Sequence, residues 1–186
     1  MKYRNVAALV GAAAIAVLMS TAPTIAQDVK GPRYGGTLIS VLPDDPPSLC
    51  SCVSNSFLAR MVSPQILEGL LDYEQDLSPK PLLAESWTVS PDAKTITFKL
   101  RKDVKFHDGK PMTADDVVFS ANEVWAKHLA DARARMTAAG MTMEKIDDHT
   151  VALKMKEPYV YAINYLSSHF GPVVPKHLYA GTDMRQ

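Results

Sequence analysis

Residues 83–120, LAESWTVSPDAKTITFKLRKDVKFHDGKPMTADDVVFS, hold the densest local order in this 186-residue sequence. Trp87 and Val89 flank Thr88 and lead into Ser90, Pro91, Asp92, Ala93 and Lys94, where Pro presets φ and Asp bonds its own backbone, so the chain turns. Beyond the turn Ile96, Phe98 and Leu100 alternate with Thr95, Thr97, Lys99 and Arg101. That period of two predicts a β-hairpin with one apolar face. Each of those apolar side chains contributes roughly 1.5–3 kcal/mol when fully buried, so the face needs a partner layer. Val104, Lys105 and Phe106 extend the chain briefly, and residues 107–111, HDGKP, form a second turn signalled by Asp-Gly. Thr113 stands three residues before Asp116, a capping-box arrangement that starts a helix at Ala114. Asp115 and Asp116 fall in its first turn, where the helix dipole favours negative charge. Val117, Val118, Ala121, Val124, Trp125 and Leu129 mark its apolar face.

Upstream, residues 1–26 have the three parts of a secretory signal: a short basic start with Lys2 and Arg4, an apolar run from Val6 to Met19, and a small, polar end broken by Pro23. About 14 apolar residues fall short of the roughly 20 that a bilayer-spanning helix requires, so a cut after Ala26 is expected in preference to a membrane anchor. No Cys follows the apolar run at the place where lipidation needs one, so the mature chain is expected to be soluble. The 20 basic and 20 acidic residues balance, and without Lys2 and Arg4 the balance is 18 against 20, a mature charge of −2. Nothing in that balance points to nucleic acid.

Tyr34 to Leu42 reads as a strand, ended by residues 43–47, PDDPP, which can continue neither a ladder nor a helix. Gly35 and Gly36 precede that strand, whereas a phosphate-binding glycine loop follows one. The spacing of Cys50 and Cys52 strains a direct disulfide, and the neighbouring SLCSCVSNS offers no His or carboxylate for a metal. Two small side chains in or near a loop are the favoured reading, and a redox-active pair of thiols in an exported protein the less favoured one. In residues 54–71, Phe57, Leu58, Met61, Val62, Ile66, Leu67, Leu70 and Leu71 recur at three and four, which predicts an amphipathic helix bent or interrupted at Pro64.

Downstream, residues 131–140 predict a helix closed by Gly140. Met136, Met141 and Met143 either line an adaptable surface or fill a core, the second being favoured. Residues 145–150 turn into a strand with Val151, Leu153 and Met155 at period two, closed by Pro158. Residues 159–167 read as a short helix, and 171–179 as extended chain entering another.

The sequence has no G-x-S-x-G elbow, H-E-x-x-H, Walker loop or C-x-x-C. His107 beside Asp108 has the composition of a base and its orienting partner. Adjacent residues in a D-G turn seldom face each other, however, and no nucleophile is marked, so the turn reading is favoured. His128, His149, His169 and His177 lack ligand spacing. No catalytic residue, metal ligand or cofactor is expected.

The pattern L-A-E-S-W, the hairpin T-F-K-L-R and V-K-F-H-D-G-K-P-M-T-A-D-D-V-V-F-S resembles the N-terminal region of the family 5 solute-binding proteins, the periplasmic peptide, dipeptide and nickel-binding components of ATP-driven importers. Further similarities are YGGTL from Tyr34, Pro46 with Pro47, EGLL from Glu68, IDDHTV from Ile146, Glu157 with Pro158, and VPKH from Val174. The resemblance implies an α/β fold of mixed α+β character: the N-terminal part of a two-lobed, type II-like periplasmic binding protein, truncated before lobe II. Family members are considerably longer and close two lobes on ligand by a hinge. The expected divisions are a signal peptide over residues 1–26, the first strand of lobe I over 27–43, an inserted subdomain over 44–155, and a return to lobe I over 156–186.

The family's lobe I contacts ligand just after its first strand, partly through backbone groups, which here implies Leu42, Pro43, Asp44 and Asp45. SLCSC departs from the S-L-D-P that members usually carry at that place. The resemblance further implies an exported, monomeric binding protein that delivers peptides or a related small solute to ABC permease transmembrane subunits, with no nucleic acid and no covalent chemistry. A truncated, non-binding remnant is the alternative reading, and an exported hydrolase a less favoured third.

Overall fold

The computed structural model describes residues 35–37 and 39–184. The expected secretory signal over residues 1–26 lies outside the described residues. Residues 1–40 and 41–186 are separate units, and all of the helices and strands below belong to the second. The described residues of the expected strand at 34–42 enter no ladder, and Ile39 and Val41 are exposed. Alternating apolar residues make a strand only where a neighbour takes up their backbone N–H and C=O groups, and among the described residues none does.

The second unit contains α1 (Phe57–Val62), a 3-10 turn (Ser63–Gln65), β1 (Leu71–Tyr73), β2 (Pro79–Pro81), β3 (Ala84–Val89) and β4 (Thr95–Leu100). Then come α2 (Ala114–Phe119), a π-helical continuation (Ser120–Trp125), α3 (Ala126–His128), α4 (Ala130–Ala138), β5 (Thr142–Asp147) and β6 (Thr150–Lys154). A 3-10 helix (Val160–Leu166) and α5 (Lys176–Tyr179) follow. An antiparallel sheet runs in the order β3-β4-β6-β5, and β1 and β2 make a separate ribbon.

The hairpin forms as the sequence implies, with Trp87 opposite Phe98 and Val89 opposite Ile96. At its turn the Ser90 hydroxyl donates to Asp92 Oδ1 at 2.5 Å and the Lys94 N–H donates to the same oxygen at 3.1 Å. Ile96, Phe98 and Leu100 are buried while Lys99 is exposed, so β4 turns one face inward. β6 is buried through Val151, Ala152 and Leu153, consecutive residues that point to alternate faces of the sheet. The covering layer is the helix starting at Ala114, whose Val117, Ala121, Val124 and Trp125 join the same core as Phe98, Leu100 and Val151. Gly140, at φ +57°, closes α4 as expected. Its N–H donates to the Thr137 carbonyl and the Met141 N–H to the Met136 carbonyl, the two bonds of a Schellman end. Met143 is buried in the core.

Three local expectations change. Residues 66–71 are not helical: α1 ends at Val62, Pro64 supports only a 3-10 turn, and Leu71 opens β1. Proline lacks the N–H that would extend the helix, and Gly69 and Leu71 instead make bridges to Pro172 and Ser167. β5 is a strand that sequence periodicity did not reveal. β6 pairs one of its edges, and on the other the Asn122 side chain donates to the Met143 carbonyl at 2.8 Å and accepts its N–H at 3.1 Å. That amide occupies backbone groups an edge strand otherwise leaves open. Finally, Cys50 and Cys52 are joined as a disulfide, although their one-residue spacing is expected to strain such a bridge. The turn at residues 51–53 sets their Cα atoms 5.1 Å apart, inside the roughly 4.4–6.8 Å a disulfide spans.

Candidate functional site

A cleft of about 580 Å³ opens where three loops converge. One carries Cys50, with residues 64–68 beside it; the second is the chain from Val104 to Asp108 after β4; the third is Val173 to Pro175, followed by Leu178 and Tyr179 of α5. Its volume lies in the range of small-ligand pockets.

The third loop is held by the capped helix. Asp116 Oδ2 accepts the Thr113 N–H at 2.9 Å and the Thr113 hydroxyl at 3.1 Å, while Oδ1 accepts the Lys176 N–H at 2.9 Å. One turn on, the Ser120 hydroxyl donates to the Asp116 carbonyl at 2.7 Å, and its oxygen accepts the Val174 N–H at 2.9 Å. The capping box therefore does two jobs, starting α2 and docking residues 174–176 onto it. Farther along the helix the Trp125 indole N–H donates to the Pro172 carbonyl at 3.0 Å. From the other side the Val173 N–H donates to the Glu68 carbonyl at 2.8 Å. The Gly69 N–H donates to Ser168 Oγ at 2.9 Å.

The second loop is the Asp-Gly turn. Gly109 sits at φ +86°, a conformation glycine adopts at no steric cost. The Phe106 N–H donates to the Lys110 carbonyl at 2.9 Å, and Asp108 Oδ1 accepts the Lys110 N–H at 3.1 Å. Asp108 Oδ2 lies 2.6 Å from His177 Nε2, and the Phe106 ring meets the His177 ring edge-on at 6.1 Å. The hydrogen bond to His177, followed by that from the Lys110 backbone, holds the Asp108 carboxyl below the usual aspartate range. The partner of Asp108 is thus His177, 69 positions away, and not the adjacent His107.

Leu42, Pro43, Asp44 and Asp45 occupy a loop in which Leu42 is half-buried and the other three are exposed. The Asp45 N–H donates to Asp44 Oδ1 at 2.8 Å, and none of the four lines the cleft. Sequence reasoning did not find the cleft because its walls come from segments more than a hundred positions apart. The departure of SLCSC from the family pattern was the one signal pointing to its first wall. Among the described residues, no three His, Cys, Asp or Glu side chains are grouped to hold a metal ion. No described helix is long and apolar enough to cross a membrane.

The profile of the bacterial extracellular solute-binding proteins, family 5 Middle, matches residues 78–185, more than half of the chain. The periplasmic oligopeptide-binding protein OppA of Escherichia coli K12 is 34% identical over 132 residues, covering 62% of this chain and 24% of that protein. The glutathione-binding protein GsiB of Shigella dysenteriae serotype 1 is 30% identical over 161 residues, covering 86% of this chain and 29% of that one. Among solved structures, Haemophilus influenzae OppA in complex with RPPGFSPFR superposes with a TM-score of 0.61 at 27% identity, covering 72% of this chain and 29% of that chain. The chain thus spans between about a quarter and three tenths of the length of these relatives.

Proposed function

The chain belongs to the bacterial extracellular solute-binding proteins of family 5, and from that premise we propose that it forms part of the receptor of an ABC importer. In this reading it binds peptides or a related small solute in the periplasm and hands them to the transmembrane permease subunits without covalent chemistry. The observation that carries the reading is the family match over residues 78–185. That segment includes the hairpin, the Asp-Gly turn and the capped helix that position two walls of the cleft. OppA and GsiB are named for binding an oligopeptide and glutathione, and peptide chemistry is the class common to both. We place further ligand contacts outside the cleft, at Leu42, Pro43, Asp44 and Asp45, whose two exposed carboxylates suit a cationic peptide end. Export with a cut after Ala26 and a monomeric state complete the proposal.

Thermal unfolding with pools of di- to pentapeptides tests it. A ligand that binds only the native state stabilises it by mass action, about 2.7 kcal/mol at a hundredfold excess over Kd, so an upward shift in Tm is expected. Unchanged melting with peptides, nickel chelates and sugars alike overturns the reading. Mass spectrometry of the protein recovered from the periplasm is expected to show residues 1–26 removed.

A further inference from the structure

The Cys50–Cys52 disulfide stands at the wall of the cleft, and its two cysteines are placed unequally. Cys50 lines the cleft and is half-buried, whereas Cys52 is 0% exposed and belongs to the core. The bridge closes over a single intervening residue, Ser51, so it removes little freedom from the unfolded chain and adds little to global stability. The loop has another anchor, because the Ser51 hydroxyl donates to Ser63 Oγ at 3.1 Å. A disulfide that is not needed to hold its loop, and one of whose cysteines lines a ligand-sized cavity, is open to thiol exchange.

We propose that Cys50 is a thiol-exchange site, at which a thiol-bearing peptide entering the cleft becomes covalently attached. The peptide thiolate attacks Cys50 Sγ, a sulfur–sulfur bond forms between peptide and Cys50, and the Cys50–Cys52 bond breaks. The electron pair leaves on Cys52 Sγ, which takes up the proton that the peptide thiol gave to solvent. One disulfide and one thiol are consumed and one of each is produced, so no external oxidant or reductant enters. Attack at Cys50 is favoured by access alone. The Cys52 N–H, which donates to Cys50 Sγ at 3.1 Å, draws charge from the sulfur under attack. The product also fits: a free buried cysteine packs as a small apolar residue. Glu68 and Lys105 line the same cleft and offer opposite charges to the two ends of a zwitterionic peptide.

The inference goes beyond the transport reading, and because its readout is a covalent adduct, either can fail while the other stands. The test incubates the oxidised protein with the tripeptide Ala-Cys-Ala, quenches with acid, and reads intact mass followed by peptide mapping. An adduct of one tripeptide on Cys50, with Cys52 free, is expected. It should form at least tenfold faster than with 2-mercaptoethanol at equal thiolate concentration. Reduced Cys52→Ala is expected to exchange with the disulfide-linked dimer of the peptide, and reduced Cys50→Ala to remain unmodified while folded by circular dichroism. If either variant does not fold, the wild-type mapping decides alone. Absence of an adduct, an adduct mapped to Cys52, or equal rates for the tripeptide and mercaptoethanol overturns the proposal.

Discussion

Replacing Asp116 by Ala tests whether one buried carboxylate both starts α2 and docks the segment bearing His177. Asp116 is only 6% exposed and accepts three hydrogen bonds, two from Thr113 and one from the Lys176 backbone. Loss of a capping side chain costs about 0.5–2 kcal/mol. A hydrogen bond to a charged acceptor contributes roughly 1.5–3 kcal/mol, less where water can replace it. Lys176 is exposed and its N–H can turn to solvent, so about 1 kcal/mol is assigned to that bond. The expected sum is about 1.5–3 kcal/mol, a large share of the roughly 5–15 kcal/mol that holds a domain folded. Urea unfolding monitored by tryptophan fluorescence reads it as a fall in midpoint of about 0.75–1.5 M for a slope near 2 kcal/mol/M. Asp115→Ala is the control, since it removes the same charge from the same helical turn but touches only the exposed Lys145 and Lys176 side chains. Its midpoint should barely move. Equal midpoints for the two variants refute the reasoning, for they would mean that charge at the helix start, and not the buried docking contacts, is what matters.

Phe98→Ala empties a site at 0% exposure on a central strand. It should cost about 3–5 kcal/mol, and a loss under 1 kcal/mol in the same urea assay would contradict the core as described. In Gly69→Ala the new Cβ meets backbone, 2.5 Å from the Ser168 nitrogen and 2.6 Å from the Leu166 oxygen, a clash that side-chain motion does not relieve. About 1–3 kcal/mol is expected from such overpacking, and a wild-type melting temperature would rule out the close approach. Asp108 titrates below its ordinary 3.8 because of His177. The stabilisation is therefore complete above that value and is lost as pH falls through the lower folded value. Midpoints measured between pH 5 and pH 2 should fall more steeply for wild type than for Asp108→Asn, and parallel curves would show that the pair is absent in solution.

The division of labour between sequence and tertiary structure follows from the range of the interactions involved. The hairpin from Ala84 to Leu100, its Ser90–Lys94 turn, the Asp-Gly turn and the capped helix at Ala114 were all legible, because each is decided by residues within a few positions of one another. The family was legible for the same reason, since its markers are runs of these local devices. Residues 66–71 had helical spacing but became loop and strand, because Gly69 and Leu71 are claimed by residues about a hundred positions later. β5 has little alternation of its own and exists through pairing with β6 and through Asn122. The Asp108–His177 pair, the second role of Asp116 and the burial of one sulfur of the Cys50–Cys52 bridge depend on how loops far apart in the chain meet. Periodicity and turn chemistry report what a segment does with its own hydrogen-bonding groups and apolar face. They carry no information about which distant segment fills the remaining valences, and in this protein the cleft is made of those remaining valences.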